Sequence, residues 1–168
     1  AAESIFRVLD ATPSVREAHA LVTDARQPSV AFEQVRFTYP GSHQVTHDEL
    51  TFHIEPGEQV AFVGASGAGK TTIVKLLLRF HDPDGGVIRI GGADLRELPA
   101  QQRCELIAVV PQDTFLFHGT VAENLRLGHP EASLDEMRRA AKDANALEFI
   151  AALPQGFETV IGERGIRL

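Results

Sequence analysis

The sequence predicts an α/β fold with a helical portion toward its end, and three observations carry that prediction. Strand-like patterns dominate the first half and helical ones the second. Between them, a glycine-rich loop joins a strand pattern to a helix pattern at residues 64–71. The chain is also 43% hydrophobic over 168 residues, enough to bury a core and unlike the composition of a disordered chain.

Residues 1–10 place Ile5, Val8 and Leu9 on one helical face, and residues 12–28, with Pro13 and Pro28, read as a linker. The domain is expected to start at residue 29. Residues 30–39 alternate as a strand, with a slip between Phe32 and Val35 that predicts a bulge. Residues 50–54 form a second short strand, Pro56-Gly57 a turn, and residues 59–63 a buried third strand. Residues 71–80 read as a helix with Ile73, Leu76, Leu77 and Phe80 inward. A turn at 82–86 leads into a strand at 87–90, and Pro99 opens a short helix ending near Glu105. Residues 107–110 are a buried strand stopped by Pro111. Helices are then expected at 120–127, 133–144 and 146–153. The second of these starts on a capping box, Ser133 with Glu136 three residues on.

Charge narrows the function. Sixteen basic against 23 acidic residues give a net charge of −7, which disfavours nucleic acid as a partner because phosphate contacts need Lys and Arg. The single cysteine, Cys104, excludes an internal disulfide and a multi-cysteine zinc site, and fits a reducing compartment. No apolar run reaches the ~20 residues of a membrane span, so the polypeptide as given reads as soluble.

The strongest chemical signal is Gly64-Ala65-Ser66-Gly67-Ala68-Gly69-Lys70-Thr71, which fits G-x-x-x-x-G-K-[ST] at every position. Glycines at 64, 67 and 69 let backbone N–H groups turn inward, and the following helix adds a positive field at the same point. In such a loop Lys70 reaches the β- and γ-phosphates and the Thr71 hydroxyl takes a Mg²⁺ position. Ser66 donates to a terminal phosphate oxygen and Thr72 reaches the α-phosphate. A plain glycine-rich turn does not explain Lys70-Thr71 at this spacing.

Weaker signals accompany the loop. Tyr39, the only tyrosine, sits at a strand end, where it is either a half-buried structural residue or a flat partner for a purine. Gln112 directly follows an apolar segment, suited to bind Mg²⁺ or orient a water. Glu163-Arg164 stands between two glycines as a surface turn. His43 and His47 are four apart but lack a third ligand, so they read as a solvated loop. Asp82 and Asp84 read as turn residues, since position 93 is Ala where a calcium loop needs an acid. Cys104 has no motif around it.

Together FTYP (37–40), GASGAGKTT (64–72), LLLRFHDPDGG (76–86), VVPQDTFLFHGTVAENL (109–125) and GERGIRL (162–168) resemble the nucleotide-binding domain of ABC transporters, most closely the exporter type with fused membrane and ATPase domains. The resemblance implies a P-loop NTPase fold of the ABC ATPase kind, with an N-terminal antiparallel β subdomain and a partial helical subdomain. It divides the chain into a linker and helix (1–28) that follow the membrane domain, a β subdomain and loop core (29–112), and a Q-loop and helical part (113–168).

By the same resemblance ATP and Mg²⁺ are the cofactors. Tyr39 stacks on adenine, and Gly64, Ser66, Gly67, Ala68, Gly69, Lys70, Thr71 and Thr72 hold the phosphates. Gln112 is the Q-loop glutamine, a metal-binding and catalytic group with Thr71 and Lys70. Glu163 and Arg164 sense the membrane domain. Implied partners are a second nucleotide-binding domain and a membrane domain, at the cytoplasmic face of a membrane.

The resemblance also sets expectations about what the 168 residues lack. Leu168 aligns with the first residue of the family signature, so the Walker B strand, catalytic Glu and switch His are expected beyond it. The chain alone is then expected to bind nucleotide without turnover, with an incomplete core. A non-hydrolysing nucleotide-binding module, as in the degenerate half of a heterodimer, is the alternative. A GTPase is disfavoured because no Asn-Lys-x-Asp motif occurs.

Overall fold

The structure is a computed structural model that describes Val15, residues 28–113 and residues 115–162. The expected helix at 1–10, most of the expected linker, Glu163, Arg164 and Leu168 lie outside the described residues. The chain divides into two compact units at Val109/Val110.

In the first unit, β1 (Val30–Thr38) lies between β2 (Val45–Ile54) and β3 (Gly85–Ile90), and β3 carries the two-residue β4 (Ala93–Asp94) on its other side. Every pairing is antiparallel. Helix α1 (Lys70–Leu77) follows the glycine-rich loop, and α2 (Ala100–Leu106) starts directly after Pro99. Phe32, Val35 and Phe37 from β1 and Ile88 and Ile90 from β3 share one buried cluster with Ile73 and Leu76 of α1. Phe32 also stacks on Phe52 of β2, with ring centroids 4.5 Å apart.

The slip read between Phe32 and Val35 is a bulge on β1. Both ladders shift register there, and Gln34 adopts φ +49°. Gly86 of β3 packs against this bulge: it has φ +76°, and a Cβ on it would collide with the Glu33 and Gln34 carbonyls. Two further register shifts bring β2 to the pairs Phe37↔His47 and Thr38↔Val45. Strand β2 therefore begins at Val45, five residues before the expected start, and His47 lies inside a strand and not in a solvated loop.

Two expected strands are corrected. Residues 59–63 and 107–110 join no ladder among the described residues. They are not buried as expected either, with Val63 95% and Val110 92% exposed. A strand exists only through its neighbours' hydrogen bonds, and an apolar run without a paired neighbour has no ladder to join. Phe80 is exposed instead of inward. Arg79 takes φ +56° just past α1, and the Phe80 N–H returns to the Lys75 carbonyl at 2.9 Å. This left-handed C-terminal turn swings Phe80 off the apolar stripe. The buried Arg79 side chain reaches Asp82 at 2.9 Å.

In the second unit, β5 (Gly119–Thr120) pairs with β6 (Val160–Ile161), two strands too short to show in the sequence pattern. Helices α3 (Val121–Arg126), α4 (Leu134–Asp143) and α5 (Leu147–Ala152) bury Ala122, Met137, Ala141 and Ile150. The capping box at α4 is present: the Ser133 hydroxyl accepts the Glu136 N–H, and the Glu136 carboxylate accepts the Ser133 N–H at 2.8 Å. Replacing Ser133 by Ala is expected to cost about 1 kcal/mol in a denaturant titration, the usual loss for a helix cap.

The Ser133 hydroxyl first, and its backbone N–H second, hold the Glu136 carboxyl below its ordinary range. A depressed folded value means the stabilisation is present above the unfolded value. It is lost as pH falls through the folded one. Amide exchange at Glu136 is therefore expected to accelerate, relative to the intrinsic rate, on acidification through that range. The S133A variant is expected to lose the larger part of this pH dependence, the backbone N–H of residue 133 keeping the rest.

Candidate phosphate-binding site

The loop between Gly64 and Gly69 ends in a helix start that leaves its donors open. Gly69 is the N-cap of α1 at φ +85°, and no side chain caps the helix. The Thr72 and Ile73 N–H groups bond to the Gly69 carbonyl at 2.9 and 3.2 Å. The N–H groups of Lys70 and Thr71 come before the first intrahelical donor, Thr72, and have no protein acceptor among the described residues. No acidic residue occupies the first turn, so nothing offsets the positive end of the helix dipole.

Gly69 has to be glycine on two counts. Its φ is left-handed, and a Cβ would stand 2.6 Å from Cε1 of His47 and 3.3 Å from Cγ2 of Thr46. Strand β2 is thus pressed against the end of the loop.

The Lys70 ammonium bridges the loop, donating to the Gly64 and Ala65 carbonyls at 2.7 Å each. An ammonium has three donors, so one remains for an anionic oxygen at the loop's mouth. Ser66, Gly67 and Ala68 are exposed, and with Lys70, Thr71, Thr72 and Tyr39 they line a cleft of about 600 Å³. Thr71 is exposed, whereas Thr72 is buried and its hydroxyl lies 3.0 Å from the Tyr39 hydroxyl. The Tyr39 ring meets Phe37 and His81 edge-on, at centroid distances of 4.9 and 5.4 Å, and the Lys75 ammonium stands 5.4 Å from its centre.

The first unit therefore brings together Tyr39 and the whole glycine-rich segment. Gln112 lies in an exposed bend of the second unit. Sequence reasoning missed Ser42, Gln44 and Thr46, which line the same cleft, and the half-buried His47. The β-forming run Val45-Thr46 was a signal for an earlier β2 start, but no local pattern ties that strand to Gly69.

The donors fit a polyphosphate: a helix N-terminus with open N–H groups, a lysine and hydroxyls, with no carboxylate among the described residues that line the cleft. Among the described residues no group of three or more His, Cys, Asp or Glu is placed to hold a metal ion. A cation here would depend on the Thr71 hydroxyl and on phosphate oxygens, the usual manner for Mg²⁺ with nucleotides.

A family model described as "ABC transporter" matches residues 47–165. The chain is 46% identical over 164 residues to the β-(1→2)glucan export ATP-binding/permease protein NdvA of Rhodopseudomonas palustris, covering 97% of this chain and 27% of that protein. It is 42% identical over 168 residues to the ATP-dependent lipid A-core flippase of Chromobacterium violaceum, covering 100% of this chain and 29% of that one. A solved bacterial Atm1-family ABC exporter with ATP bound superposes with a TM-score of 0.88 at 40% identity, over 99% of this chain and 29% of that one. The chain thus spans less than a third of the length of these curated relatives. The fold is that of an ABC-type P-loop ATPase domain. No helix among the described residues is long and apolar enough to cross a membrane. By the family match and by the nucleotide-binding domain its residues build, the chain belongs to the ABC transporter family.

Proposed function

We propose that this chain is the ATP-binding portion of an ABC exporter whose whole protein couples ATP binding and hydrolysis to movement of a substrate across a membrane. The observation that carries the reading is the open head of α1 beneath the Lys70 ammonium, a cradle for phosphates and for nothing apolar. The backbone of Gly64, Gly67, Ala68 and Gly69 encloses the phosphates. Lys70 sits against the β- and γ-oxygens, Ser66 donates to a terminal oxygen, and Thr72 faces the α-phosphate. Thr71, with Gln112 by the resemblance, would hold a Mg²⁺ ion, which would supply charge neutralisation to the phosphates. By the same resemblance Gln112 would orient the attacking water.

Tyr39 stacks on the adenine. Its hydroxyl bond to Thr72 fixes the ring's tilt, so base and phosphates are read from one rigid frame. In the intact protein, loss of the ring is expected to raise the KM for ATP by roughly 5- to 150-fold in Tyr39→Ala, the range for one base–aromatic stack. Tyr39→Phe keeps the stack and is expected to change KM little. Equal KM values for Y39A and wild type would remove Tyr39 from the site.

A second nucleotide-binding domain and a membrane domain are the partners of the whole protein, which places this part at the cytoplasmic face of a membrane. Residues 1–28 connect to the membrane domain and 29–168 belong to the ATPase domain. Nothing within the 168 residues supplies a Walker B aspartate with its catalytic Glu, a signature motif or a switch His. The isolated chain is expected to bind MgATP without steady turnover, because positioning the water needs groups beyond the phosphate cradle. Steady phosphate release by the isolated chain, abolished in Lys70→Ala, would contradict this.

A further inference from the structure

Strand β2 touches the phosphate loop at one polar point. Nε2 of His47 lies 3.2 Å from the Gly69 carbonyl oxygen. That oxygen can only accept, so Nε2 carries the proton and donates. The register shifts on either side of Phe37 set His47 opposite that residue with Val45 as the next β2 partner, leaving Thr46 as an extra residue between them. A bulge of this kind re-aims a neighbouring side chain. The absence of a Cβ at Gly69 lets the imidazole approach, since that atom would stand 2.6 Å from Cε1.

The Gly69 carbonyl shares a rigid plane with the Lys70 N–H. In a trans peptide the two groups point in opposite directions, so fixing the direction of one fixes the other. The carbonyl is already the first acceptor of α1, bonded by the Thr72 and Ile73 N–H groups. The imidazole grips it from outside the helix. The opposite end of the plane is the open Lys70 N–H at the head of α1.

We propose that His47 is a positioning residue for nucleotide binding: by holding the Gly69 carbonyl it aims the Lys70 backbone N–H at the phosphate group of the bound nucleotide. This rests on the ATP-binding reading above and adds a residue from the β sheet to it. The imidazole itself touches no nucleotide. The aimed N–H bonds the phosphate alike in ground and transition states, so its loss appears in KM and not in kcat.

The test is ATPase kinetics of the intact protein that carries this chain, comparing wild type with His47→Leu and His47→Met, which lack a donor, and His47→Gln, which keeps one. Melting temperatures identify the folded variants, and either donor-less variant suffices. Removing the bond is expected to raise the KM for ATP about fivefold, the weight of one neutral hydrogen bond, with kcat within twofold of wild type. H47Q is expected to return KM to within about twofold of wild type, because an amide N–H replaces the imidazole's in the same bond. An unchanged KM in a folded donor-less variant would overturn the proposal. So would H47Q as impaired as H47L, or a loss that falls on kcat. Failure of wild type itself to bind ATP would instead overturn the ATP-binding reading.

Discussion

Replacing Lys70 by alanine is expected to lower ATP turnover of the intact protein by about a hundredfold or more, the scale seen when one preorganised donor is taken from a developing anion. The ammonium is held over the loop by two backbone carbonyls at 2.7 Å. Among the described residues no other lysine or arginine lines the cleft to take over. The substitution leaves the buried cluster of the first unit untouched. Melting temperature should therefore stay near wild type while phosphate release collapses. A K70A protein that turned over ATP at the wild-type rate would show that the chemistry lies elsewhere.

Gly69→Ala is expected to damage both folding and binding. The left-handed backbone at φ +85° costs any residue with a Cβ about 1–2 kcal/mol. The new methyl would also stand 2.6 Å from the His47 ring. To relieve that contact the imidazole has to leave the Gly69 carbonyl, or the loop has to move off β2. Either movement disturbs the peptide that presents the Lys70 N–H. The expected outcome is a lower melting temperature together with at least a tenfold weaker affinity for ATP, more than the strain alone would predict from stability. A G69A protein with wild-type stability and affinity would mean that the loop does not pack on β2 as described.

The features legible in the sequence were those set by near neighbours along the chain. The α4 cap needs only Ser133 and Glu136, three residues apart, and both partners could be read. The slip after Phe32 marked the β1 bulge because strand alternation has a period of two, and one extra residue breaks it visibly. The glycine-rich motif fixed the loop and the start of α1 for the same reason. Residues 59–63 and 107–110 misled because their apolar character predicts burial, while strand structure depends on partners far away in the chain. Phe80 misled because helical periodicity says nothing about where the axis ends, and a left-handed Arg79 ended it early.

His47 shows the limit most clearly. Its contact with Gly69 spans 22 residues, and it depends on two register shifts that no local pattern encodes. The spacing of His43 and His47 invited a metal reading and then a solvated one. The distance to the Gly69 carbonyl gives the imidazole a different task.

The most direct test of the central claim is calorimetric titration of the intact protein with MgATP, with adenosine, and with MgATP again in K70A. Recognition by the head of α1 acts on phosphates. Saturable binding of MgATP is therefore predicted for wild type, with far weaker binding of adenosine and with MgATP binding severely weakened in K70A. Equal affinity for ATP and adenosine, or K70A binding MgATP as tightly as wild type, would contradict a phosphate site at Gly64–Thr72.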